Sequence, residues 1–551
     1  MDTRAPHKAP LGSAGIKNFF VRHDGSLQKR CGYRLLAEYS SDVRAIWTGR
    51  VDGVELGYVL ISNTVSRLNV KTGALTDIGT VGSVLGKADF FFYRATLYLV
   101  DGYKIYTVND SGLGTPFGYV PLVGKDWPDT YRGAPYEPRN LLNNKGRISY
   151  VISEDPSVFL KTDDSISSID AVFINGHRIS SSKYSITDMD KTISVSDMSP
   201  GDRVEVYFTY LSSSYQEQLA GLLTSNRAIV FGGINNTRPF LWGGTKGVMY
   251  TSAFVSENSL AQSQMGYYLS DALYFPVNYE FVVGDGVSPI SAVSRHYDRL
   301  LIFTENGAWM ADSSACGVED FPIMNINSSV GVISEGAAAM LGNRPCTVGK
   351  SSIYRWTSST EELDECNAYS ISAPIDDSLP EEFYSTASVF ADTDRGELYF
   401  CSEAILGLVP VYSEQTGKWV MLDGIDAQRF VKLGNNVGFL MNNRLYVFDG
   451  SLSIDMPHPN RSIPISASFE SNYMDFDKDT YKHLERVTVE KEGGVVQVEI
   501  ILDENRIGSK IFTFTKDSRR IPTKRFKSLK IRLNDSDSQP QVIRSLEAVI
   551  R

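Results

Sequence analysis

The sequence predicts an all-β chain: a β-propeller of about six to seven blades with an inserted β-sandwich and a C-terminal β-sandwich. Three observations point there. Aromatic residues reach 11% of the 551, with 29 Tyr and 27 Phe, a surplus that suits half-buried pleated faces. Helical periodicity is confined to two short stretches, 215–223 and 361–366, and strand-and-turn alternation fills the rest. A unit consisting of a polar or basic residue, four or five apolar residues, a tight turn and a second short strand recurs along the chain.

The unit is clearest in RATLYLVDGYKIYTV (94–108), YDRLLIFTENGAWMA (297–311) and MNNRLYVFDGS (441–451). Weaker copies are NTVSRLNVKTGALTDIG (63–79), SNRAIVFGG (225–233), GKSSIYRWTSS (349–359), and RGELYFCSE followed by SEQTGKWVML (395–422). Asp101-Gly102 and Asn306-Gly307 are read as two-residue hairpin turns, in which both central positions need positive φ. A lone hairpin cannot bury its apolar face, so about seven of them, mostly near 40 residues apart, imply four-stranded blades around a common core. Unrelated β-sandwiches are the competing arrangement.

Five regions follow in order. Residues 1–40 form an N-terminal arm and closing strand, 41–136 the first propeller blades, 137–214 the inserted sandwich, 215–461 the remaining blades and 462–551 the C-terminal sandwich. WPDTYRGAPYEPRN (127–140), with three prolines, reads as an extended linker. The insertion's strands are placed at 171–174, 184–186, 192–195 and 203–210, with turns at Asn175-Gly176 and Pro200-Gly201. From residue 465 the chain alternates without the hairpin unit and ends in a strand, SLEAVIR.

DGSLQKRCGYRLL (24–36) places Lys29, Arg30 and Arg34 close together. A nucleic-acid patch is one reading, but 65 acids against 54 bases give the chain a net charge of −11, whereas phosphate binding needs a basic face. The preferred reading makes Asp24-Gly25 a hairpin turn and residues 33–36 a strand that pairs near 444–448, completing the last blade and removing an exposed edge. Lys29, Arg30, Tyr33 and Arg34 are then candidate contacts to a neighbouring subunit or an adaptor.

The search for chemistry is negative. Five scattered cysteines, Cys31, Cys316, Cys346, Cys366 and Cys401, show no CxxC pair and are expected to be mostly buried, reduced thiols. Gly349-Lys350-Ser351 lacks the spacing of a phosphate-binding loop and reads as a turn before a strand. Asp475, Asp477 and Asp479 alternate as in a calcium loop, but Thr480 replaces the glycine and Glu485 falls one place short. The six histidines are far apart, and no HExxH, GxSxG or sialidase-type Asp box occurs. No catalytic, cofactor or metal site is expected, and no enzyme activity. MDTRAPHKAPLGSAG lacks the apolar core of a signal peptide, and no apolar run approaches eighteen residues, so neither secretion nor a membrane-spanning helix is expected.

VRHDGSLQKRCGYRLL (21–36), followed by propeller-like hairpins, resembles the phage tail proteins that form the hub or nozzle of short tails, the DNA-stabilisation or tail-tubular type. VFINGHRISSSKYSITDMDKTISVSDMSPGDRVEVYFTY (172–210) is similar to small β-modules of tail and fibre proteins. SASFESNYMDFDKDTYKHLERVTVE (466–490) resembles the closing sandwich of such hubs. The resemblance implies a structural protein of the virion tail, made in the host cytoplasm. Several copies, expected to be six, would dock under the portal and adaptor rings, retain packaged DNA, and pass it without sequence-specific binding. A receptor- or fibre-binding propeller is an alternative, with Trp242, Trp309, Trp356 and Trp419 either stacking on sugars or packing between blades. A cellular propeller enzyme or scaffold is a third.

Overall fold

The structure is a computed structural model. It describes residues 7–8, 11–128, 136–153, 160–162, 164–187, 192–211, 215–232, 238–244, 246–253, 255, 264–265, 272–297, 299–312, 322–357, 367–475, 481–503, 508–514, 518–520 and 525–550.

Among the described residues, seven four-stranded antiparallel meanders follow one another. Six are continuous in sequence, at 43–80, 89–114, 227–282, 290–327, 338–370 and 388–423. The seventh combines 429–449 with Gly32–Glu38, the strand from the other end of the chain. First strands touch along most of the ring: Val43–Val51 against Asp89–Tyr93 and that against Arg227–Phe231, then Ile290–His296 against Ala338–Leu341, that against Ser388–Asp392, that against Arg429–Leu433, and Arg429–Leu433 against Val43–Val51. The third and fourth sheets meet through one apolar cluster containing Phe231, Ile290 and Ile302. The ring is therefore closed, and the chain is a β-propeller.

Each blade buries its faces against its two neighbours, which is why its strands read as short apolar runs. Leu97, Tyr98, Leu99 and Val100, and likewise Leu300 to Phe303, are at most 5% exposed. The former four divide between clusters on opposite faces of their blade. A fully buried side chain of this size contributes about 1.5–3 kcal/mol.

Asn175-Gly176 is a two-residue hairpin with φ of 49° and 80°, the geometry that Asn-Gly favours. Two other expected turns differ. Asp101-Gly102 lies in a four-residue loop in which the Asp101 carboxylate accepts the N–H groups of Tyr103 and Lys104, and only Gly102 has positive φ. Gly307 already pairs with Thr304 inside the ladder, so the turn there is Glu305-Asn306. Aspartate's ability to cap backbone N–H groups competes with the tight turn.

The insertion is a sandwich of two sheets. One sheet contains Leu122–Pro128, Lys145–Val151, Arg203–Tyr210, Ile166–Ile174 and His177–Arg178. The other contains Leu160–Lys161, Thr192–Val195 and Tyr184–Thr187. Ile148, Val172, Ile193 and Phe208 fill the space between them. Its first strand begins in the segment read as propeller and linker; of that linker, residues 129–135 lie outside the described residues.

The second sandwich is built from both chain ends. One of its sheets orders Leu11–Lys17, Ala467–Ser471, Ser528–Asp535, Val496–Leu502 and Gly508–Phe514. The other orders Phe19–Val21, Leu27–Lys29, Gln541–Ile550, Leu484–Gly493 and Ser518–Arg520. Leu11–Lys17 also joins the outer strand of the sixth blade, Lys17 opposite Met421, so one sheet runs unbroken from blade to sandwich. A single apolar cluster, containing Phe19, Tyr33, Tyr399, Phe439, Phe469 and Val489, spans the sixth and seventh blades and this sandwich. Most of the region expected to be an arm is thus internal structure. Among the described residues two short α-helices are present, Gln216–Leu223 and Glu381–Thr386; the expected helical stretch at 361–366 lies outside the described residues.

Candidate functional site

Among the described residues, the junction that holds residues 18–34 and the axis of the propeller ring are two of the places that gather charge inside the fold. The junction contains the residues that the sequence singled out, and the expectation for three of them is corrected. Lys29, Arg30 and Tyr33 are buried within their own chain, at 4–5% exposure, and are not available to a neighbouring subunit or adaptor.

Arg30 places its guanidinium flat against the Asp455 carboxylate, with Nη1 and Nη2 at 2.7 and 2.6 Å from the two oxygens. Its Nε donates to Asn18 Oδ1 at 2.8 Å. Lys29 Nζ donates to the Asp537 carbonyl at 2.5 Å and stands 3.4 Å from Asp535 Oδ2. Burial pushes the Lys29 ammonium pKa down and the Asp535 carboxyl pKa up, each opposed by the other's charge. Tyr33 meets Phe439 and Tyr446 edge-on, at ring separations of 5.1 and 5.3 Å. Arg34 alone is half exposed, and it is 3.2 Å from Asp449 of the neighbouring strand.

The cations therefore meet acids of the same chain, brought from 415–506 positions away by closure of the ring and sandwich. Asn18, which the sequence reading passed over, is the hub. Buried and at φ 54°, it donates to the carbonyls of Asp423 and Ser466 and accepts from Asp423 N–H and Arg30. It thus ties the sixth blade, the C-terminal sandwich and the closing segment to one side chain. An asparagine between apolar strands, in IKNFF, was the available signal, since Asn tolerates left-handed backbone.

The ring axis holds a cavity of about 420 Å3, lined by the first strands and leading loops of blades two to seven. Its charged residues are Asp89, Arg227, Glu335 and Arg429. Asp89 accepts the backbone N–H groups of Phe90 and Ala228 at 3.0 and 3.2 Å, and burial pushes its pKa up. Arg227 donates to the Ala88 carbonyl at 3.3 Å and to Glu335 at 3.4 Å, while Lys87 reaches the same Glu335 oxygen at 2.8 Å. Burial lowers the pKa of Arg429. Of the four lining charges, only Arg227 fell within a repeat unit read from the sequence. The missed signal is a charge placed just before, or at the start of, successive first strands.

Trp242, Trp356 and Trp419 are buried, which removes them as exposed sugar platforms. Trp356 packs against Phe303 of the preceding blade at 5.2 Å, and Trp419 against Phe400 and Tyr412 within its own blade. Trp309 is partly buried against the cluster of blades three and four. Gly349, Lys350 and Ser351 form a turn between two blade strands. Asp475 ends a short strand, while Asp477 and Asp479 lie outside the described residues. Among the described residues no group of His, Cys, Asp and Glu is arranged to hold a metal, and no helix is long and apolar enough to cross a membrane.

No protein-family profile matches the chain, and no curated protein does. Solved structures similar to it include the AfRom2 CNH domain, at 6% identity and a TM-score of 0.37 over 76% of this chain and 99% of that one. Another is BBS1N in complex with ARL6DN, at 9% identity and 0.35 over 77% and 98%. The WD40 domain of SCAP from fission yeast matches at 7% identity and 0.31 over 75% and 94%. The fold assignment rests on the strand order and ring closure described above.

Proposed function

We propose that the chain is a structural subunit of a bacteriophage short-tail hub or nozzle, one of several copies, expected to be six, that surround the DNA exit channel beneath the portal and adaptor. The observation that carries this reading is what the resembling segment does in the fold. VRHDGSLQKRCGYRLL contributes a hairpin to the C-terminal sandwich, two buried cations to the junction and the closing strand to the seventh blade. A motif of this kind fastens the C-terminal sandwich to the seventh blade, and such fastening is what a subunit under the pressure of packaged DNA requires.

The axial cavity supports a particular arrangement of that ring. Its volume of about 420 Å3 cannot pass a duplex whose major groove alone is about 12 Å wide. DNA would therefore run between copies and not through any one propeller. The net charge of −11 suits a wall along which phosphates slide without being held by counterion release.

Mass measurement of the purified chain, alone and mixed with portal–adaptor complex, tests the reading. A closed ring of defined copy number that joins the adaptor is expected. A monomer that stays monomeric in both conditions contradicts it.

A further inference from the structure

Lys29 and Asp535 differ from other lysine ion pairs of the fold. Their side chains are 1% and 0% exposed, whereas Lys145, paired with Asp170, and Lys432, paired with Asp392, remain 39% and 30% exposed. Lys29 ends a strand of one sheet of the C-terminal sandwich and Asp535 ends a strand of the other, so the two side chains meet across the sandwich. The neighbouring cation, Arg30, is held in a bidentate pair; Lys29 is not. Its Nζ is fixed by the Asp537 carbonyl at 2.5 Å and stands 3.4 Å from Asp535 Oδ2, and that oxygen accepts no hydrogen bond of good geometry. Asp535 Oδ1 accepts the Asp537 N–H at 2.7 Å, which holds the carboxyl group in place.

An amine and a carboxyl group placed in this way are set up for more than attraction. As ions they are unfavourable, since two charges out of water are stabilised by little besides each other. Burial pushes the Lys29 pKa down and the Asp535 pKa up, toward the neutral amine and acid, the forms that condense. Arg30 and the Asp537 carboxylate, which accepts the N–H groups of Val495 and Gln539, also act on the pair. Groups held at contact of about 3–3.5 Å react as if at very high concentration, and exclusion of water favours condensation over hydrolysis.

We propose that Lys29 and Asp535 condense into an intramolecular isopeptide bond. Nζ passes one proton to the carboxylate, the freed amine adds to Cγ, and the hydroxyl leaves with a second amine proton as water. One C–N bond forms and one C–O bond breaks; no oxidant or co-reactant is required, and two buried charges become one neutral amide. The water leaves past residues 536–540, of which 536 and 538–540 are exposed. The bond joins the two sheets of the sandwich covalently, between positions 506 apart. The inference is independent of the tail reading, since it concerns chemistry inside one chain.

The test is the intact mass of the full wild-type chain, purified in its native state and then denatured. That mass is expected to fall below the sequence mass by one water, and digestion is expected to yield a branched peptide joining the segments around Lys29 and Asp535. Lys29→Arg, which keeps the charge without a nucleophilic amine, and Asp535→Ala are each expected to show their full sequence mass. A wild-type chain at its full sequence mass overturns the proposal and leaves an ion pair only. Loss of water without the branched peptide, as from an aspartyl succinimide, overturns it as well, and so does the same loss in Lys29→Arg.

Discussion

Arg30 and Asp455 stand 425 positions apart in sequence and share two short hydrogen bonds out of contact with water. Removing one partner strands the other as a buried charge, so Asp455→Ala is expected to destabilise the chain by about 3–5 kcal/mol in denaturant unfolding. The Arg30→Met, Asp455→Leu double variant is expected to recover most of that loss, because an apolar pair of similar volume removes the desolvation penalty together with the attraction. A loss below about 1 kcal/mol, the range of exposed pairs, would show that the junction is hydrated. Nothing in KRCGYR distinguishes a cation paired inside from one presented to a partner: local sequence reports charge, whereas burial depends on where Asp455 and Asp535 arrive. Of the five thiols expected to be mostly buried, Cys346 and Cys401 are buried and Cys31 is partly so, while Cys316 and Cys366 lie outside the described residues. Burial pushes Cys401 up to about 11 and Cys346 up to about 12. Mass-spectrometric mapping at mildly alkaline pH is expected to find both unalkylated in the native chain and labelled only after unfolding. Burial likewise pushes Tyr33, Tyr58 and Tyr250 up to about 12. All five groups hold their protons in the native chain where the unfolded chain has begun to lose them, so their contribution is complete below the ordinary values of 9.0 and 10.0. It is lost as pH rises toward 11–12. Alkaline titration is expected to show tyrosinate absorbance appearing together with loss of circular dichroism; ionisation of these phenols in a still-folded chain contradicts it.

The closing strand is the element whose position the sequence determined most fully. Gly32–Glu38 lies antiparallel to Arg444–Asp449, with Tyr33 opposite Phe448 and Glu38 opposite Arg444, the pairing expected from an N-terminal strand that would otherwise leave an open edge. Gly32 is also required by contact, since an added methyl carbon there would sit 1.8 Å from the Ile454 carbonyl oxygen. Hydrogen exchange is expected to place the ladder amides of residues 32–38 in the same slow class as those of 444–449; exchange at the rate of a free tail would contradict the closure. The strands of residues 7–29 were not legible in this way. LGSAGIK and FFV are short and carry no turn signal that specifies a partner. Their register comes from strands near the other terminus, Ile16 opposite Phe469 and Leu27 opposite Ile543, a long-range choice that no local window contains.

At the scale of the molecule, the repeated apolar hairpin gave away the propeller because a blade is a local object: four consecutive strands, mostly within 40 residues, each visible as a run between turns. What stayed hidden is what ties blades to other units. The sheet continuous from the sixth blade into the C-terminal sandwich depends on one inserted strand, Leu11–Lys17, and the axial charges assemble only when the ring closes. On the proposed reading the chain works as one copy among several, with the DNA path between copies. A reconstruction of the virion tail by electron microscopy tests this most directly. It is expected to show a symmetric ring, sixfold by the proposed reading, in which each propeller axis lies off the DNA path and the strands of residues 19–38 pair within their own subunit. A tail whose hub density does not fit this chain, or a single copy with DNA threading the propeller itself, would contradict it.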